Sequence, residues 1–184
     1  MTEDGQLLEN YARHGDVKSL SELVGRNTKW LVAFLRGLVP TEADAEDAFQ
    51  EVWVRVIRSG RAYRGGSVKA YLARIARSVV IDRFRRAGLP TVSVDAADGE
   101  GFVEEIADVS PTPSERFESC ATSADVRAAV RTLPLRHREV LLMRIEGEMA
   151  FREIAAELGV PIGTVLTWMR SATLKLKEIL RERR

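Results

Sequence analysis

From Ser19 to Leu38 the apolar residues Leu20, Leu23, Val24, Leu31, Phe34 and Leu38 fall three, four and seven positions apart. That spacing lines one face of an α-helix, and Asp16 stands where a side-chain oxygen can cap it. Pro40 ends the run. Thr41, with Asp44 three residues on, resembles a capping box in which Asp replaces the usual Glu, so a second helix starts there. At about 100° per residue, Ala45, Ala48, Phe49, Val52 and Val56 gather on one side of it, and Asp47, Gln50, Glu51 and Val54 on the opposite side. A third helix is predicted over about Val68 to Arg86, with Leu72, Ile75, Ala76 and Val79 inward and Arg74, Arg77 and Arg85 outward. Asp82 is spaced to pair with Arg86 one turn later. Helical segments also fit Ser114–Thr132, Leu135–Glu146, Ala150–Leu158 and Ile162–Arg181, the last with an inward stripe of Val165, Met169, Ala172, Leu176 and Ile179. No run alternates like a half-buried strand for more than a few residues. The pattern predicts an all-α protein.

Between the helical blocks, Ala87 to Glu115 carries Gly88, Pro90, Gly99, Gly101, Pro111 and Pro113 and no useful apolar period. An irregular stretch of this length is unusual inside one compact domain, so it reads as a flexible tether. Two small helical domains follow, 1–86 and 116–184, joined by a linker over 87–115. Fully extended, that linker would reach roughly 95 Å at about 3.3 Å per residue.

Charge sharpens the division. The formal total of +1 conceals a net of +4 over residues 1–86, −7 over 87–115 and +4 over 116–184. Within the first block Glu42 to Glu51 holds five acids and no base, whereas Arg55 to Arg86 holds ten bases and Asp82 as its one acid. Two partners of opposite sign are implied. A single cysteine, Cys120, excludes an internal disulfide, and His14 and His137 are too scattered for a zinc site. Nothing suggests a nucleophile with its base, a phosphate-binding Gly loop or a metal cluster, so no catalytic residue, metal or cofactor is expected. The longest uncharged stretch, Leu158 to Met169, has twelve residues, short of the roughly 18 to 20 that span a bilayer. Residues 1–16 lack the basic and apolar regions of a secretory signal. A cytoplasmic protein without membrane insertion is expected.

The densest motif is Phe151 to Met169, FREIAAELGVPIGTVLTWM. A helix-turn-helix needs a small residue where its helices cross, Gly in the turn, and an apolar plug from the second helix. Ala155, Gly159 and Val165 supply these, with Ile154, Leu158 and Val160 adding core contacts. The exposed side of the second helix, near Gly163, Thr167, Arg170, Ser171 and Lys177, would then face a DNA major groove. A plain helical hairpin in an interaction module is the alternative.

Three blocks together resemble the extracytoplasmic-function (ECF) sigma factors of bacterial RNA polymerase, in the sigma-70 superfamily. They are DAEDAFQEV at Asp44–Val52, YLARIARSVVIDRFRR at Tyr71–Arg86, and LPLRHREVLLMRIEGEMAFREIAAELGVPIGTV at Leu133–Val165. Their order and spacing match the family's, and the resemblance covers nearly all of residues 5–181 apart from the linker. It implies that the helix from Asp44 docks on the β′ clamp of core polymerase through Asp44, Asp47, Gln50, Glu51 and Val54. It implies a minus-10 promoter surface of Tyr63, Arg64, Ser67, Lys69, Arg74, Arg77, Ser78, Arg85 and Arg86, which would open the strands and take a flipped base in the loop Arg64–Lys69. Cations beside Tyr63 and Tyr71 suit unstacked single-stranded DNA. It implies a minus-35 surface of Gly163, Thr164, Leu166, Thr167, Arg170, Ser171 and Lys177, and a core polymerase partner met at its β flap as well as its β′ clamp. An anti-sigma protein is the expected regulator.

The sequence also departs from the family. Tyr71 stands where Trp is common and Ser78 where Asn is common. Leu166, Trp168, Ser171 and Thr173 stand where many relatives carry Lys or Arg, which implies fewer phosphate contacts and an unusual minus-35 sequence. Two promoter elements about two turns apart lie roughly 70 Å from each other, within the linker's reach. The other readings are an operator-binding regulator that uses only the helix-turn-helix, a solvated acidic face with no partner, and a nuclease with Asp47 and Glu51 as metal ligands. The first leaves the acidic helix and the basic strip unexplained, and no histidine or inward carboxylate supports the last.

Overall fold

The computed structural model describes residues 2–59, 63, 65–87 and 123–182. These form eight helices and no strand: α1 Glu3–His14, α2 Val17–Leu38, α3 Glu42–Ser59, α4 Val68–Arg86, α5 Ser123–Thr132, α6 Leu135–Ile145, α7 Phe151–Leu158 and α8 Ile162–Glu182. The expected linker beyond Ala87, and the start of the helix expected from Ser114, lie outside the described residues.

α1 was not announced by apolar spacing, since its apolar content is little more than Leu7, Leu8, Tyr11 and Ala12. Its ends define it instead. Thr2 Oγ1 accepts from the Gly5 N–H at 3.3 Å, Glu3 and Asp4 sit in the first turn, and Gly15 closes the helix at φ 67° with its N–H donated to Tyr11 O. Acids at the start and Arg13 and His14 at the end complement the helix dipole. Leu8 is fully buried, which contributes about 1.5–3 kcal/mol.

α2 is the central element. Leu23, Leu31, Phe34, Leu35 and Leu38 are buried along it, and the expected cap is present, Asp16 accepting from Lys18 N at 3.1 Å. The buried amide of Asn27 ties α1 to α2. Its Nδ2 donates to Asp4 Oδ2 at 3.1 Å and Leu23 O at 2.9 Å, and its Oδ1 accepts from Trp30 Nε1 at 2.7 Å. Every polar atom of that amide is used, as burial requires.

α3 and α4 pack against α2 and each other. At the start of α3, Asp44 N–H donates to Thr41 Oγ1 at 3.1 Å, but the Thr41 hydroxyl donates to Asp44 Oδ2 at 2.6 Å. The reciprocal arm of the expected capping box therefore differs: Asp is one methylene shorter than Glu and takes the hydroxyl proton instead of the backbone one.

The C-terminal helices are arranged around α8, which α5, α6 and α7 all contact. They also pack onto the N-terminal half, α5 and α6 on α2 and α7 on α4, so that one apolar core runs through both. One close approach is at Gly37 near the end of α2, where an added Cβ would lie 2.6 Å from Leu142 Cδ1 of α6. Glycine permits that approach.

Candidate functional site

Three surfaces carry the residues singled out from the sequence. The first is the outward face of α3. Asp47, Gln50 and Val54 are exposed, Asp44 and Glu51 half-buried, and exposed Ile57 continues the face. The acids are not bare. Arg83 of α4 reaches Asp44 Oδ1 at 3.3 Å and Asp47 Oδ2 at 3.2 Å, and Arg55 pairs with Glu51 at 3.0 Å and Asp82 at 2.9 Å. The Thr41 hydroxyl, helped by Arg83, holds the Asp44 carboxyl below its ordinary value. Acidic oxygens, held in fixed positions beside an apolar strip, make a surface suited to a partner that is both cationic and apolar.

The second surface is α4 with the segment before it. Ser67 caps α4, Oγ accepting from Ala70 N at 3.3 Å, so its hydroxyl is committed to the helix start. Tyr63 and Tyr71 meet edge to face with centroids 5.4 Å apart. Tyr63 OH donates to Gly66 O at 2.8 Å, and Tyr71 OH lies 3.2 Å from Ser59 Oγ. Burial raises the Tyr63 phenol, with Glu9 and Asp4 adding to the shift, so it stays a neutral donor. The rings, with Arg74, form one wall of a cleft of about 610 Å³ whose other wall is Glu153, Ala156 and Glu157 of α7. Arg85 and Arg86 are exposed. Ser78 accepts from Arg55 Nη1 at 3.0 Å. Arg64 lies outside the described residues.

Two expectations for α4 need correction. Arg77 is not outward: its side chain is 13% exposed and Nε donates to Glu139 Oε1 of α6 at 2.8 Å. The helical wheel of an isolated helix leaves out the C-terminal half, which covers that side. Asp82 does not pair with the Arg86 side chain; it pairs with Arg55 across the α3–α4 contact, while Arg86 Nε donates to the Asp82 backbone carbonyl at 3.3 Å.

The third surface is the helix-turn-helix of α7 and α8. Gly159 sits at φ 68°, and the N–H groups of Gly159 and Val160 both point to Ala155 O, which ends α7 as a left-handed glycine cap does. Ala155 and Val165 are buried as the motif requires. Glu153 Oε2 accepts from Ala150 N at 2.8 Å. On α8, Gly163, Thr167, Arg170 and Lys177 are exposed, and Thr164, Leu166 and Ser171 half-buried. Thr167 Oγ1 donates to Gly163 O at 3.0 Å, leaving its lone pairs outward. Trp168 packs beside His137, centroids 6.4 Å apart.

Residues 23–89 match the Sigma-70 region 2 family and residues 123–176 the Sigma-70, region 4 family. The RNA polymerase sigma-E factor of Streptomyces avermitilis is 30% identical over 174 residues, covering 92% of this chain and 89% of that protein. The chain is an ECF sigma factor of the sigma-70 family. The ECF RNA polymerase sigma factor SigE of Mycolicibacterium smegmatis is 31% identical over 163 residues, 88% of this chain; the match spans 62% of that protein's length. Two solved structures share the fold. CnrH in complex with the cytosolic domain of CnrY has TM-score 0.67 at 22% identity, covering 98% of this chain and 99% of that one. The sigma factor RpoE in complex with the anti-sigma factor NepR from Bartonella quintana has TM-score 0.68 at 24% identity, covering 91% and 100%.

Sequence reasoning passed over several groups on this sigma factor's surfaces. Arg55 follows Glu51 by four residues, a readable helical pair. Arg83 has no acid three or four residues away on its own helix and could not be assigned to Asp44 and Asp47 without the packing. Glu139 did leave a signal, a lone carboxylate in front of the apolar run Val140–Met143. Burial to 2% exposure demands a cation there.

Proposed function

We propose that this sigma factor is a promoter-specificity subunit with no covalent chemistry of its own. It docks on the β′ clamp of core RNA polymerase through Asp44, Asp47, Gln50, Glu51 and Val54, and reads and helps to melt the minus-10 element with α4 and the segment before it. It reads the minus-35 element with α8. Residues 1–86 and 116–184 act as separate units in the working complex, with 87–115 as an acidic linker that DNA repels and a basic protein channel receives. What carries the reading is the presence of both sigma regions, in order, in one chain. An operator-binding regulator needs only the second.

The chemistry follows from the side chains. Melted DNA offers phosphates and unstacked bases. The guanidinium groups along α4 match the phosphates, and the Tyr63–Tyr71 cleft presents aromatic surface to a base. On α8 the exposed Arg170 is the strongest base-reading group, suited to guanine O6 and N7, with Thr167 and Ser171 as weaker readers. A helix about 10–12 Å across fits a major groove about 12 Å wide. With Leu166, Ser171 and Thr173 at positions where a cation would add a phosphate contact, each missing contact flattens the salt dependence by about 0.9.

No helix among the described residues is long and apolar enough to cross a membrane, and a subunit of this kind would act in the cytoplasm, beside the polymerase it serves. The similarity to CnrH, solved with CnrY, and to the sigma factor RpoE, solved with the anti-sigma factor NepR, supports regulation by an anti-sigma protein. The test is purified protein added to core polymerase and a genomic promoter library, followed by sequencing of the transcripts. Start sites with shared upstream elements are expected. Duplex binding without core, and no core-dependent transcripts, would establish the operator-binding reading in its place.

A further inference from the structure

What the Ser78 hydroxyl offers a partner is decided by the neighbouring helix. Arg55 of α3 donates from Nη1 to Ser78 Oγ at 3.0 Å. The same Nη1, which carries two hydrogens, lies 2.9 Å from Asp82 Oδ2, one turn further along α4, and Nε donates to Glu51 Oε1 at 3.0 Å. One guanidinium thus spans a docking acid and two α4 side chains. Its planar fork fixes these directions, which a lysine ammonium with freely turning donors would not. A serine hydroxyl has one proton to donate and two lone pairs. With a cation on one lone pair, the oxygen is a poor acceptor, and the charge-assisted bond polarises the O–H into a better donor. Ser78 is exposed and borders a cleft of about 350 Å³ between α3 and α4 that Arg55, Arg58, Ser59, Arg74 and Ile75 also line. Ser59 is not its equivalent, because the Ser59 hydroxyl donates to Arg55 O at 2.6 Å. The cleft therefore holds cations for phosphates and one hydroxyl donor for a base.

We propose that Arg55 is a positioning residue for promoter reading: anchored by Asp82, it fixes Ser78 as a hydrogen-bond donor toward the base that enters this cleft. This rests on the minus-10 assignment of Ser78 above. A donor-only hydroxyl suits an edge that presents an acceptor, as guanine, adenine and thymine do on the major-groove side, and is mismatched with cytosine, which presents its N4 amine there. An unconstrained serine would turn its oxygen to that amine and discriminate less. The preference at this position is therefore set by a residue that touches no base. Docking does not undo the arrangement. When polymerase takes Glu51, Asp82 still holds the guanidinium from α4 itself, so Ser78 stays a donor in the holoenzyme.

The test uses holoenzyme assembled from core polymerase and the full chain, transcribing a promoter library randomised across the minus-10 element. Base preferences are ratios within each holoenzyme, so changes in total activity cancel. Ser78→Ala should alter the preference at one position and so identify it. Arg55→Met keeps the aliphatic stem and removes every donor. It should raise the use of cytosine at that same position about twofold to tenfold, the worth of one hydrogen bond, and leave the other positions unchanged. In the double variant the preference should match that of Ser78→Ala alone, since Arg55 acts through the hydroxyl. A uniform fall across all promoters on Arg55→Met, with no shift at that position, would show an ion pair that only supports the fold; it would overturn the proposal while the Ser78 assignment stands. If Ser78→Ala shifts no minus-10 position, that assignment falls and the proposal with it. Should Arg55→Met not fold, Asp82→Ala decides alone: with its anchor gone, Arg55 no longer holds Ser78, and the same position should relax at least twofold. An unchanged preference there would refute the positioning role.

Discussion

Replacing Asp47 and Glu51 together by arginine separates a docking face from a merely solvated one. Asp47 Oδ2 lies 3.2 Å from Arg83 with its side chain 65% exposed, and Glu51 Oε1 3.0 Å from Arg55 with 37% exposed. Pairs this open to water contribute at most about 1 kcal/mol each, and the new arginines would repel Arg83 and Arg55 by similar amounts. The fold should lose roughly 2–3 kcal/mol, a fall in Tm of about 4–12 °C for a chain of this size, and stay helical by circular dichroism. Against a cationic partner the change is larger. Each reversal turns an attraction into a like-charge contact costing several kcal/mol, so core polymerase affinity should fall at least 100-fold. Labelled sigma factor titrated with core, followed by anisotropy, measures this directly. A variant that melts at the lowered Tm yet binds core within threefold of the parent would show that α3 is stabilised by its own arginines and docks on nothing.

Other expectations concern single interactions. Asn27→Ala leaves the buried Trp30 indole N–H without its acceptor, worth about 1–3 kcal/mol, and removes two further bonds; urea unfolding should show a loss of roughly 2–4 kcal/mol, with Trp30→Phe in the same chain recovering part of it. Gly159→Ala forces a Cβ into the left-handed region at φ 68°, and should cost about 1–2 kcal/mol and weaken duplex binding by misplacing α8. Asp44 titrates below its ordinary value of about 3.9, so its contribution is complete above that pH and drains away as the pH drops through the lower folded value; carbon-detected titration of Thr41→Val should return Asp44 toward the ordinary value, because the hydroxyl is the larger cause. Arg170→Ala on α8 should relax sequence preference at one minus-35 position by about 1–3 kcal/mol, seen by competition among single-base variants.

Much of this fold could be read from spacing, because burial imposes a 3.6 period wherever a helix lies on a core. α2, α4 and α8 begin and end within a few residues of their expected bounds, and the Ala155, Gly159 and Val165 pattern of the helix-turn-helix reads directly into its geometry. α1 escaped because it is held by its caps, by Leu8 and by the Asn27 amide, with too few apolar residues to show a period. The outward placement of Asp47, Gln50 and Val54 was legible for the same reason as the core. The partners of the charges were not. A helical wheel reports which way a side chain leaves its own helix, but Arg77 finds Glu139 62 residues away, Arg74 finds Glu157 83 away, and Arg83 finds Asp47 36 away. Only the packing of α4 against α3 on one side and α6 and α7 on the other brings these together.

At Gly37 the joint between the two halves leaves no room for a Cβ unless the branched end of Leu142 shifts. A small residue there can be met by that shift, whereas a large one must push α6 away from α2. A bulky substitution there would have to displace Leu142 and would loosen the seating of α6 on α2.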